Sequence, residues 1–224
     1  MRPVEALEPF AEQVYRRLLD AISRCELRPG QKIPQAEVAA SFGVSRQPVS
    51  HALHLLRQQG LIEISGKKGL AVSAVQVNLI RDLYQIRGQL DSLAASLAAQ
   101  RVRAGHVHAD ALDAIHATLE RAHALGEHAA IGDILEVEMT FHRQIYALSG
   151  NPSIEQTLAA HWPHLCRAMS LIHSRRTTSY EAHGEHEAIL AAIASGDAER
   201  AAYLAQAHTN RACIEVASRL ESQE

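Results

Sequence analysis

The stretch Gly43-Val44-Ser45-Arg46-Gln47-Pro48-Val49-Ser50-His51-Ala52-Leu53-His54-Leu55-Leu56-Arg57 decides how the first third of this chain folds. Gly43 is suited to end a preceding helix, because glycine takes the left-handed conformation of a tight turn at little cost. Ser45 can cap a second helix, and Pro48 falls within its first turn, where a missing N–H does no harm. Val49, Leu53 and Leu56, with Ala52 beside them, share one face of that helix, which runs over about residues 46–59 and is closed by Gly60. On the opposite face Gln47, Ser50, His51 and His54 fall at i, i+3, i+4 and i+7, a polar stripe able to meet base edges in a major groove. Arg46 and Arg57 flank the stripe at the helix ends.

Working outward, Phe10, Val14, Leu18, Leu19 and Ile22 predict a helix over residues 9–25, stopped by Leu27-Arg28-Pro29-Gly30. A short helix with Val38, Ala39 and Phe42 on its core face precedes Gly43. Two helices joined by a three- or four-residue turn containing glycine make a helix-turn-helix. Beyond it, Leu61-Ile62-Glu63-Ile64 and Leu70-Ala71-Val72-Ser73 read as strands of a hairpin whose tip, Gly66-Lys67-Lys68-Gly69, offers Lys67 and Lys68 for phosphate or minor-groove contact. From Asn78 onward only helix signals occur, predicting about six helices near 78–103, 109–125, 128–149, 153–173, 179–195 and 197–221. Ala-rich faces such as Leu93-Ala94-Ala95-Ser96-Leu97-Ala98-Ala99 permit close packing in an antiparallel bundle. The expected fold is therefore mostly α: a winged helix-turn-helix over residues 1–75 and an all-helical domain over 76–224.

Composition agrees with this division. Of 224 residues, 47% are hydrophobic, 21% charged and only 4% aromatic, which suits a helical globular chain and excludes collagen-like or disordered polymers. Residues 1–75 hold ten Lys and Arg against seven Asp and Glu, and the remainder twelve against eighteen, so the basic partner for a polyanion is the first piece. Cys25, Cys166 and Cys213 are far apart and form no CxxC pair, which argues against a disulfide framework or thiolate zinc knuckle. No run approaches a membrane span, and Met1-Arg2-Pro3-Val4-Glu5 has no signal-peptide core, so a cytoplasmic protein is expected.

The residues Leu27-Arg28-Pro29-Gly30, Ala39, Gly43-Val44-Ser45-Arg46-Gln47-Pro48-Val49, Ala52-Leu53 and Gly60-Leu61-Ile62 closely resemble the winged helix-turn-helix of GntR-type transcriptional regulators. The resemblance implies a double-stranded DNA operator read by Arg46, Gln47, Ser50, His51 and His54, with Lys67 and Lys68 on the backbone. One departure stands out: Ser50-His51 occupies the place where the family usually has Arg-Glu. A short hydroxyl cannot span guanine O6 and N7 as a guanidinium does, which implies an atypical operator at that base pair.

The 14 histidines are the compositional oddity, and 12 of them follow residue 75. Glu138 and His142 share a helix face, and His186 and His208 lie on the last two predicted helices. Three imidazoles and a carboxylate suit a borderline divalent cation such as Zn, Ni, Mn or Co. Spacing alone leaves solvent-facing or satisfied core histidines as the competing reading, since His161/His164 and His183/His186 are chance pairs of the same kind. Arg87 with Leu90-Asp91 and Ala94-Ala95, Glu138-Met139-Thr140-Phe141-His142, Ser149-Gly150-Asn151-Pro152, Glu185-His186-Glu187-Ala188-Ile189 and Gly196-Asp197 before His208 resemble the all-helical FCD effector domain of the FadR-like branch of those regulators. Many members hold a metal through one aspartate and three histidines, and the matching positions are Glu138, His142, His186 and His208, with glutamate in place of aspartate. The resemblance also implies a small carboxylate effector beside the metal, for which Arg87 is the matching cation; the plain alternative for Arg87 is an i, i+4 salt bridge to Asp91.

The expected protein is thus a homodimeric, ligand-responsive regulator and not an enzyme. Two rivals are a helical metalloenzyme using the Glu and three His, and a regulator with a metal-free pocket. The first lacks the paired Glu-x-x-His motifs of di-iron bundles and any His-Glu-x-x-His run, and it would leave the helix-turn-helix unexplained.

Overall fold

Val14, Leu18 and Ile22 recur at helical spacing and bury one face of α1 (Phe10–Ser23), while Phe10, on the first turn, is exposed. The computed structural model describes residues 9–66, 69–125, 129–172 and 179–222, with side chains described from residue 184 onward in the last segment. The chain divides into two compact units, residues 1–75 and 76–224.

In the first unit α1 packs on α3 (Arg46–Gln58), and α2 (Gln35–Phe42) leads into α3 through the three residues Gly43-Val44-Ser45. Gly43 has φ +66°, the left-handed conformation the turn requires. Val49, Ala52, Leu53 and Leu56 are fully buried against Val14, Leu18 and Ile22. Ser45 differs from expectation: it takes the N-cap position, but its side chain makes no capping hydrogen bond. A cap oxygen ordinarily accepts from the second or third helical N–H, and Pro48 at the third position has none to give.

The wing pairs β1 (Ile62–Ser65) with β2 (Gly69–Val72) in antiparallel register, Ile62 opposite Val72 and Ser65 opposite Gly69. Its tip residues Lys67 and Lys68 lie outside the described residues. Sequence reading missed a third participant: Gln31 to Ile33 runs along the free edge of β2, with Ile33 N donating to Leu70 O at 2.8 Å and Val72 N donating to Gln31 O at 2.9 Å. That stretch has one apolar residue, Ile33, and so no alternation to betray it.

The second unit contains α4 (Val77–Arg103), α5 (Ala109–Ala124), α6 (Ile131–Ser149), α7 (Pro152–Ala159), α8 (Trp162–Ile172), α9 (Ser179–Ala194) and α10 (Ala198–Glu221). Among the described residues there are seven helices here, not six. The predicted helix over 153–173 is broken at Ala160-His161 because Pro163 would clash with the carbonyl of Ala159 in a continuous helix; placed in the first turn of α8 it is harmless. Ser149-Gly150-Asn151-Pro152 makes the α6–α7 corner: Gly150 has φ +72°, and the Asn151 side chain accepts from Ser153 N. The long helices α4 and α10 run antiparallel, with Gly88 of α4 facing Thr209 and Asn210 of α10, and Arg81 bonded to Glu221 at 2.5 Å. Helix α6 lies along α4, and α9 along both α4 and α10.

Leu53 is fully buried in the core of the first unit. Leu53→Ala is expected to destabilise that unit by about 2–5 kcal/mol, the usual cost of emptying a packed leucine site, whereas exposed Gln47→Ala should leave the urea midpoint unchanged.

Candidate metal centre and nucleic-acid interface

Helices α4, α6, α9 and α10 each send polar side chains into the interior of the second unit. His142, His186 and His208 are buried at 3–4% exposure, and Glu138 is 22% exposed at their edge. His142 Nε2 is 3.1 Å from Glu138 Oε1, His186 Nε2 is 3.7 Å from Glu138 Oε2, and His208 Nε2 is 4.0 Å from Glu138 Oε1. His186 Nε2 and His208 Nε2 are 3.1 Å apart, and one donor atom from each of the four residues lies within 4.8 Å of the others. Two nitrogens bonded to one ion at about 2.0–2.1 Å would stand roughly 3 Å apart, so the donor set has the dimensions of a metal centre.

Protonation also fits. Burial would raise the Glu138 carboxyl, but His186, His142 and His208 outweigh it and hold the carboxyl well below the usual range. Burial pushes His186 well below, and His142 and His208 below, the ordinary imidazole value, and the Arg87 guanidinium presses all three the same way. An ionised carboxylate among neutral imidazoles is the state in which these groups ligate metal. His208 Nδ1 lies 2.8 Å from Glu185 Oε2, and an ionised carboxylate only accepts, so Nδ1 carries the proton and Nε2 presents its lone pair to the cluster. Glu185 is itself bound by Arg211. The His186 ring stacks on Phe141 at 4.1 Å, which fixes its orientation.

Arg87 is 1% exposed. Its Nε donates to Asp91 Oδ2 at 3.1 Å, its Nη2 is 2.6 Å from His142 Nε2 and 3.7 Å from Glu138 Oε1, and its guanidinium lies 4.6 Å from the centre of the Trp162 ring. The salt bridge to Asp91, the plain reading of Arg87, is present, and the same cation adjoins the Glu/His cluster. Asp91 also accepts from Tyr146 Oη at 2.5 Å and Thr209 Oγ1 at 2.7 Å. A water-sized cavity lined by Asp91, Phe141, His142, Ile145, Tyr146, Ile189 and Ala205 adjoins the cluster.

Sequence reasoning missed Tyr146, Thr209 and Trp162 as partners of this site. The available signals were Thr209 following His208 and Tyr146 four residues after His142. His183 lies among residues whose side chains are not described, and Arg143 is at the surface, paired with Glu155.

In the first unit Arg46, Gln47, Ser50, His51, His54 and Arg57 are all exposed on α3, on the side away from Val49, Leu53 and Leu56. Tyr15 of α1 and Gln59 exchange hydrogen bonds of 2.8–3.0 Å and pin the C-terminal end of α3.

The family model for bacterial regulatory proteins of the gntR family matches residues 10–72, and that of the FCD domain matches residues 82–211. The chain belongs to the GntR family of transcriptional regulators, in its FCD-domain branch. This GntR regulator is 25% identical over 208 residues to YdhC of Bacillus subtilis, an uncharacterized HTH-type transcriptional regulator, covering 92% of this chain and 90% of that one. It is 30% identical over 189 residues to an uncharacterized HTH-type regulator from an unstable DNA locus of Streptomyces ambofaciens, covering 82% and 75%. Its fold is similar to that of Escherichia coli McbR/YncC, with a TM-score of 0.81 at 19% identity over 97% of this chain and 100% of that one. As a GntR regulator with an FCD domain, it is a DNA-binding transcription factor and not an enzyme.

Asp91 neutralises a guanidinium that has no route to water. Asp91→Ala is expected to cost about 3–5 kcal/mol of stability in the second unit by leaving that charge only the more distant Glu138 carboxylate, while Thr209→Val, which removes one of Asp91's three donors, should cost about 1 kcal/mol, both read from urea denaturation.

Proposed function

We propose that this GntR regulator holds a divalent metal on Glu138, His142, His186 and His208, and that metal and Arg87 together receive a small carboxylate metabolite that alters operator affinity. The observation that carries the reading is the juxtaposition of a four-residue donor set with a buried guanidinium 2.6 Å from one of its nitrogens. A borderline cation, Zn, Ni, Mn or Co, suits three imidazoles and one carboxylate, and when bound it would act as a Lewis acid for a carboxylate oxygen. Arg87 donates to His142 Nε2, so a metal ligated by that nitrogen would displace this hydrogen bond and release one edge of the guanidinium. Asp91 keeps the other edge in place, which turns the freed donors toward an incoming anion. The neighbouring cavity is only water-sized, so the effector must spread the helices that line it. A ligand that binds one helix arrangement better than another shifts the population between them, and this is the means by which it would reach the DNA-binding unit.

In this reading residues 1–75 contact DNA, with Arg46, Gln47, Ser50, His51 and His54 toward base edges and Lys67 and Lys68 on phosphates. Residues 76–224 bind the effector and join two copies, which matches a two-fold-symmetric operator. A cytoplasmic protein is the setting for such a role; no helix of the described residues is long and apolar enough to cross a membrane.

The test is an electrophoretic shift with the DNA upstream of the regulator's own gene, using metal-free and metal-loaded protein and a panel of small carboxylates. One carboxylate should change operator affinity by about 5–150-fold, the usual range of coupling between sites, and only with metal present. Arg87→Lys should bind the operator normally but lose that response, since an ammonium cannot fork to a carboxylate. A response that survives full chelation would overturn the metal's part in it.

A further inference from the structure

Tyr84 of α4 and Trp162 of α8 each carry a single polar side-chain atom, and in both it is buried with no hydrogen-bond partner among the described residues. The two side chains are 1% and 3% exposed, so bulk water does not reach them. A buried donor left unmade costs free energy, and native interiors keep few of them. Both stand at Arg87, whose guanidinium lies 4.6 Å from the centre of the Trp162 ring and 5.6 Å from that of Tyr84. The Trp162 ring is also 5.9 Å from the ring of His142. The carboxylates of this region are engaged elsewhere: Asp91 accepts from Arg87, Tyr146 and Thr209, and Glu138 faces the three histidines. Burial pushes the Tyr84 hydroxyl up, so it keeps its proton, and the Trp162 indole N–H can only donate.

We infer that Tyr84 Oη and Trp162 Nε1 are the donors for a second, uncharged oxygen of the effector, which makes that effector a hydroxy- or oxo-substituted monocarboxylic acid. The inference rests on the carboxylate reading proposed above and narrows it. In that reading the metal and Arg87 take the carboxylate, and the two orphaned donors flank the same guanidinium, left for whatever else the molecule carries. Two neutral donors select an acceptor: a keto oxygen can take both, and a hydroxyl can accept from the indole while it exchanges a hydrogen bond with the tyrosine. An unsubstituted acid would leave both donors unpaired, and a second carboxylate would be buried against neutral groups with no countercharge. A pocket built to hydrogen-bond one group rejects the analogue that lacks it for this reason. The interior is thus unsatisfied when empty and satisfied when the matching acid is bound.

Calorimetric titration of the zinc-loaded full chain with matched acids tests this: propionate, lactate, pyruvate and malonate, then butyrate, 3-hydroxybutyrate and succinate. The best hydroxy or oxo acid should bind about ten-fold tighter than the unsubstituted acid and the diacid of its length, the worth of a hydrogen bond gained. It should also shift the emission of Trp162, the one tryptophan of the chain. Tyr84→Phe should bind the unsubstituted acid as wild type does and lose most of the preference, and without ligand it should melt no lower than wild type, because an orphaned hydroxyl has gone. Trp162→Phe should lose the preference in the same titration. Equal affinity for substituted and unsubstituted acids, tightest binding of a diacid, or a preference that survives both variants would overturn the inference and leave the carboxylate reading standing. A lower melting temperature of Tyr84→Phe would mean that the hydroxyl already has a partner, and would overturn its role. Binding of none of these acids to the zinc-loaded chain would overturn both.

Discussion

Arg87 puts a permanent cation inside a helical bundle, and the arrangement of the second unit follows from the need to answer it. Leaving one charge of such a pair unmatched in the interior costs several kcal/mol, which explains the company it keeps: Asp91 on its own helix, Trp162 against its flat face, and the Glu138/His142 edge at its tip. Asp91 in turn draws Tyr146 from α6 and Thr209 from α10, so one carboxylate ties three helices together. The hydrophobic contacts of α4, α6 and α10 supply the bulk of the stability, but this network fixes their register.

The same network gives the histidine cluster its character. Burial disfavours the protonated imidazoles most, and the cation held close by adds to that; they stay neutral and offer lone pairs. Glu138, at the rim and partly open to solvent, brings a carboxylate within 4.0 Å of an Nε2 of each of them. In the reading proposed above, such a centre would attract a divalent cation from solution and then have charge to spare for an anion, which is the combination a metabolite sensor needs.

Much of this was legible in residue order. The helix-turn-helix followed from Gly43, Pro48 and the Val49/Leu53/Leu56 face because turn chemistry and helical period agree there. The four candidate ligands emerged from resemblance, not from spacing, since twelve histidines in a helical region generate many equivalent pairs. What local pattern could not supply was partnership across the bundle: Tyr146, Thr209 and Trp162 come from three helices, and a place four residues after His142 or next to His208 does not say which group on another helix each will meet. Glu185 stands next to His186 in the chain, whereas its partner is His208, on the next helix. The missed break between α7 and α8 is different in kind, for Pro163 was in plain view and outweighs any run of apolar residues around it. The edge segment at Gln31–Ile33 escaped because pairing to an existing strand needs backbone, not pattern.

The central claim is that Glu138, His142, His186 and His208 form a metal centre. Elemental analysis of the purified regulator beside its His186→Ala/His208→Ala variant, both equilibrated with one divalent metal and freed of excess, tests it most directly. The account predicts a stoichiometric ion in the wild type and loss of it in the folded variant. Equal metal content in the two proteins would contradict it.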